Sequence, residues 1–152
     1  PLVREALEGR RETLGAGHVD TPASICNPAR LPPATGDHAG AEPLLREALE
    51  VRRETLGARH PDTLTSIGNL ADLLREMGRL DEASRMLDGA LAAAQEALGP
   101  DHEDTLIIAA KAARLAHAQG HGTEVLAAAV ARLEAVLGTE HPQTRKYANL
   151  LA

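Results

Sequence analysis

The stretch PLLREALEVRRETLGARHPDT, residues 43–63, nearly copies PLVREALEGRRETLGAGHVDT, residues 1–21. Working outward from it, Leu14-Gly15, Leu56-Gly57 and Leu98-Gly99 recur every 42 residues, and Leu137-Gly138 follows after 39. A His lies three places beyond each Gly (His18, His60, His102, His141), and a Thr three places beyond each His (Thr21, Thr63, Thr105, Thr144). Self-similarity at a fixed period of this size marks a stacked repeat array. Such an array presents surface rather than an enclosed catalytic pocket, so the repeat points towards binding.

One period resolves into two helices. Leu45, Ala48, Leu49, Arg52 and Leu56 follow i, i+3, i+4, i+7, i+11 spacing, the stripe of an amphipathic helix. Gly57 stops it, because glycine tolerates the left-handed backbone that closes a helix. His60-Pro61-Asp62 starts the next helix: proline suits the first turn, where its missing N–H breaks no bond, and Asp62 complements the positive helix end. Ile67, Leu70, Ala71 and Leu74 form its stripe, and Gly78 ends it. Asp81 and Glu82 then open a helix striped by Ala83, Leu87, Ala90, Leu91, Ala94 and Leu98. The pattern predicts helices over 41–56, 61–77, 80–98, 103–119 and 123–137. Ala71, Ala83 and Ala90 allow the close crossings that antiparallel helices need. The helix after 103 is alanine-dominated, with Ala109, Ala112, Ala113 and Ala116 along its stripe.

Composition narrows the function. With Tyr147 its single aromatic and a formal net charge of −6, the chain has neither stacking platforms nor a basic footprint for nucleic acid. Cys26 stands alone, so no intrachain disulfide forms, which fits a reducing, cytoplasmic setting. The most apolar stretch, 106–118, is interrupted by Lys111 and Arg114 and is too short to span a bilayer. No membrane partner and no cofactor are expected. No HExxH, GxSxG or glycine-rich phosphate motif occurs, so the chain is read as a non-enzyme.

Ile67, Leu70, Ala71, Leu74, Gly78, Leu80, Ala83, Leu87 and Ala90 resemble the pattern of the tetratricopeptide repeat. The long second helix and the phrase ALEVRRETLGARHPDTL are similar to the kinesin-light-chain type of that repeat. The resemblance implies an all-α superhelix, a solenoid of antiparallel helix hairpins with about 42 residues per repeat. In that frame 1–152 is a single array: 1–16 a partial repeat, 17–57 a degenerate repeat, 58–99 and 100–138 repeats, and 139–152 a partial repeat. The chain then opens within a second helix (2–14) and closes within a first helix (142–152), as a piece of a longer array would. Neither end carries a polar capping helix, which leaves a route to self-association.

The resemblance also implies where a ligand lies: on the first helix of each pair, on the side turned from the core. The matching positions are Asn27 and Arg30; Thr65, Asn69, Asp72 and Arg75; Lys111 and Arg114; Lys146 and Asn149. Asn meets both a donor and an acceptor of an extended backbone, and Lys and Arg pair with carboxylates. This cationic set leads to the expectation of a locally basic groove, with solvent-facing Asn69 and Arg114, that binds a protein or peptide, an acidic one included. The arginines Arg10, Arg11, Arg52 and Arg53, on second helices, are read as solubilising. The alternative is a regulatory or self-association region of a larger multidomain protein.

Other constellations have simpler readings. The pairs His18/Asp20, His60/Asp62 and His102/Asp104 fall one per repeat, on the order of 10 Å or more apart. Ligands of one zinc each lie about 2 Å from it, so these are turn and cap residues. His117 and His121 share metal-ligand spacing, but Gly120 ends the helix between them. Segment 19–36 should be a first helix but carries Pro22, Pro28, Pro32 and Pro33. An interior proline costs on the order of 3 kcal/mol, so this segment is expected to be irregular, and Cys26 within it is read as a chance small residue rather than a nucleophile. Thr123 is the expected N-cap after the shortened turn at 120–123.

Overall fold

The computed structural model describes residues 38–120 and 123–151, and every regular element among them is an α-helix. They are α1 (His38–Leu56), α2 (Pro61–Glu76), α3 (Leu80–Ala97), α4 (Glu103–Ala118), α5 (Thr123–Leu137) and α6 (Pro142–Ala148). The expected degenerate segment 19–36, with Asn27, Arg30 and Cys26, lies outside the described residues, as does His121. The observed helices match the expected ranges to within a residue, except that α1 begins three residues earlier and carries Pro43 inside it. Met77, Leu98 and Gln119, counted within helices by pattern, are the C-caps. Thr123 is the first helical residue rather than the cap.

The turn chemistry follows the repeat. His60 and His102 are N-caps whose Nδ1 atoms accept from the backbone N–H of Asp62 and Asp104, each at 3.2 Å. This satisfies one of the donors a helix start leaves unpaired. At the other end, Gly78 takes φ +77°, its N–H donates to Arg75 O at 3.0 Å, and the N–H of Arg79 donates to Leu74 O at 2.8 Å. That paired closure requires a left-handed residue at position 78, which glycine reaches without Cβ strain.

Short loops between the helices make sequence neighbours pack as antiparallel pairs. The first helices also pack on one another, α2 on α4 and more lightly α4 on α6, whereas the second helices α1, α3 and α5 touch each other less. Close contact on one side and separation on the other curves the stack, with α2, α4 and α6 on its concave side. One apolar cluster joins α1 to α4 through Leu45, Leu49, Leu64, Leu70, Leu74, Leu87, Ile108 and Leu115. A second joins α4, α5 and α6 through Leu106, Ala110, Ala113, Leu126, Val130, Leu133 and Tyr147. Helix α4 belongs to both, which is how neighbouring repeats share one spine. Of its expected alanine stripe, Ala113 is buried while Ala109, Ala112 and Ala116 are half-buried.

Candidate functional site: the concave groove

Facing side chains of α2, α4 and α6 enclose a groove of about 400 Å³. Thr65, Gly68, Asn69 and Asp72 come from α2, Asp104, Ile107 and Lys111 from α4, and Gln143 and Lys146 from α6. Arg52 reaches it from α1. Five of the expected groove residues therefore line it: Thr65, Asn69, Asp72, Lys111 and Lys146.

Asp72 is the electrostatic centre. Lys111 Nζ donates to its Oδ2 at 2.6 Å, and Arg114 Nη2 donates to its Oδ1. Both cations belong to the following repeat. Lys111 is only 8% exposed, and burial pushes its ammonium below the usual lysine range although Asp72 works the other way. Its stem crosses α2 over Gly68, where a Cβ would lie 3.2–3.3 Å from Lys111 Cδ, Cε and Nζ. Absence of a side chain at Gly68 thus leaves room for the Lys111 stem over α2.

Tyr147 extends this network to α6. Its ring is fully buried, with Arg114 Cζ at 5.8 Å and Lys146 Nζ at 5.6 Å from the centroid, within cation–π range. Burial pushes its phenol well above the ordinary tyrosine range. At the helix starts, Asp104 is pushed upward by burial, opposed by His102, whose Nδ1 lies 3.7 Å from Asp104 Oδ2.

Five expectations are corrected. Arg114 does not face solvent in the empty groove: its side chain is 15% exposed and bound to Asp72. The groove is not locally basic, since Asp62, Asp72 and Asp104 balance Arg52, Lys111 and Lys146 along its lining. Arg52 is not a solubilising outer residue. It is buried, and its Nη1 donates to Ser66 Oγ at 2.6 Å and to Asp62 O at 2.9 Å. Arg53 is exposed and pairs with Glu50. Arg75 is half-buried beside Glu76 and lines no part of the groove, and Asn149 is the exposed C-cap of α6. Asp104, Ile107, Gly68 and Gln143 were not expected here. A one-period shift would have found one of them, since Ile107 is the counterpart of Thr65.

Among the described residues, no group of three His, Cys, Asp or Glu could hold a metal, and no helix is long and apolar enough to cross a membrane.

The chain belongs to the tetratricopeptide repeat family, whose model matches residues 34–88 and again 68–121. Its array is of the kinesin-light-chain type. A candidate kinesin light chain of Podosopora anserina with nearly identical TPR-like repeats aligns in a point-variant form with TM-score 0.72 and 28% identity. The match covers 96% of this chain and 70% of that one. The parent form aligns with TM-score 0.70 at 28% identity, covering 96% and 71%. BtubC (BKLC) from P. vanneervenii shares the fold, with TM-score 0.67 and 22% identity over 98% of this chain and 59% of that one. No curated protein matches the chain.

Proposed function

We propose that the chain is a non-catalytic scaffold that binds a protein or peptide segment in its concave groove. The observation that carries this reading is the continuous groove built by three successive first helices, with amide, hydroxyl and ionic groups beside the apolar Ile107 and Leu64. Among the described residues, neither histidine nor cysteine lines it, which favours recognition over acid–base or nucleophilic chemistry. The lone Cys26 supports a reducing, cytoplasmic setting. The test is selection of peptides from a displayed library by the intact chain. Thr65→Phe, which fills the groove, and Asn69→Ala should abolish or weaken binding of the selected peptides, and exposed Arg53→Ala should leave it unchanged. Peptides that ignore both groove variants and lose binding to Arg53→Ala would move the working surface to the convex side.

A second reading, self-association within a larger protein, is favoured by exposed Val125 and Val136 on α5 and by Leu150 and Leu151 after α6. Sedimentation of the wild-type chain against Val125→Lys and Val136→Lys tests it: a concentration-dependent dimer lost in both variants would support it.

A further inference from the structure

The groove carries the ingredients of a carboxylate-binding seat, two cations from one repeat converging on a single point, yet that seat is already filled. Asp72 holds Lys111 through one oxygen and Arg114 through the other. Both cations are confined by their surroundings. Lys111 is 8% exposed and runs over Gly68, and Arg114 lies over the Tyr147 ring. An incoming carboxylate would have to displace Asp72 and leave that side chain, itself 25% exposed, without its partners beside the newcomer. Like charges so placed repel in a partly desolvated site. Among the described residues, Asp62 and Asp104, by contrast, line the same groove near the starts of α2 and α4 with no lysine or arginine bridging either carboxylate, against Lys146 as a lining cation that no carboxylate holds.

We propose that Asp72 is a specificity-determining residue: an internal occupant of the carboxylate seat that makes the groove refuse acidic segments and accept a peptide of net positive charge. This rests on the groove being the binding surface, and it adds the class of ligand and the residue that selects it. Asp72 acts on the ligand through the charge balance of the seat.

The test measures fluorescence anisotropy of two labelled Ser/Gly nonapeptides, one bearing three Lys and the other three Glu, with the full chain. The wild-type chain should bind the Lys peptide at least tenfold more tightly than the Glu peptide. Asp72→Asn should raise affinity for the Glu peptide at least tenfold, with helix content unchanged by circular dichroism. Asp88→Asn, the same change of net charge at an exposed position on α3, should leave both affinities within twofold. If Asp72→Asn does not hold its fold, Asp72→Ser, which also removes the carboxylate, supplies the second reading with the same expected gain for the Glu peptide. Preference of the wild type for the Glu peptide, no gain in the folded Asp72 variant, or an equal gain in Asp88→Asn would each overturn the proposal. Groove binding itself fails separately, when Thr65→Phe leaves the library-selected peptides bound; those peptides being acidic would sink the ligand class alone.

Discussion

Lys111 Nζ lies 2.6 Å from Asp72 Oδ2 although 39 residues separate them, and Arg114, 42 residues after Asp72, holds the other oxygen. The second separation is one repeat period. Positions equivalent in sequence become stacked neighbours in space, and here the stacked pair carries opposite charges. The contact ties α2 to α4 on the concave side, where the first helices come closest. It links the shape of the superhelix to the charge of its groove.

Two adjacent arginines should behave differently. Arg52 is buried and donates two hydrogen bonds to α2, whereas Arg53 is exposed with a single ion pair. Hydrogen bonds from charged groups contribute about 1.5–3 kcal/mol, and exposed pairs about 0–1. Arg52→Ala should lower unfolding free energy in urea by about 2 kcal/mol, and Arg53→Ala by under about 0.5 kcal/mol. Equal losses would place Arg52 at the surface.

Gly68 offers a graded test of the slot beneath Lys111. Alanine there gains about 0.5–1 kcal/mol of helix preference over glycine, while its Cβ presses on the flexible end of Lys111 at 3.2–3.3 Å. Gly68→Ala should therefore stay close to wild type. Gly68→Val adds two methyl groups in the path of the lysine and should cost about 1–3 kcal/mol. A valine variant as stable as the alanine variant in urea unfolding would mean the slot is not tight.

Tyr147, the chain's single tyrosine with no tryptophan present, reports its own ionisation. Burial raises its folded pKa above the unfolded value of about 10. In the interval between the two, the folded state holds the proton that the unfolded state has lost. Stability from this group is therefore full below pH 10 and falls as pH rises beyond it. Phenolate absorbance at 295 nm should appear together with loss of helical circular dichroism. Phenolate formation near pH 10 with the helices intact would contradict the burial.

Leu70 and Leu87 lie in the shared spine at 0% and 2% exposure. Aspartate at either site would bury an unpaired charge or force its protonation. Because α4 packs in both apolar clusters, the loss should spread, and hydrogen exchange should show α2, α3 and α4 losing protection together. Retention of wild-type protection in α4 would show that the repeats are energetically separate.

The backbone was legible because its signals are local. The starts of α2 and α4 are written by a His and the Asp two places on, and the stops of α1 to α5 by a Gly in the left-handed region, so one period read correctly serves for the next. Boundary differences fall at Met77, Leu98 and Gln119, cap residues that no hydrophobic pattern distinguishes from the last helical turn. That the first helices line the groove was what the resemblance to the kinesin-light-chain repeat implied.

Side-chain fate was less legible. Arg52 sits on the apolar stripe of α1, and its sequence position admits either a snorkelling surface residue or a buried donor. Only the approach of Asp62 O and Ser66 Oγ across the turn decided for burial. The sequence by itself determined a helical array, its period and its turn signals, since these depend on residues within a turn or two of one another. The tertiary structure alone decided the charge of that groove. Asp72, Lys111 and Arg114 meet through the stagger of stacked repeats, and a stagger of a few ångströms separates two free cations from a closed ion pair.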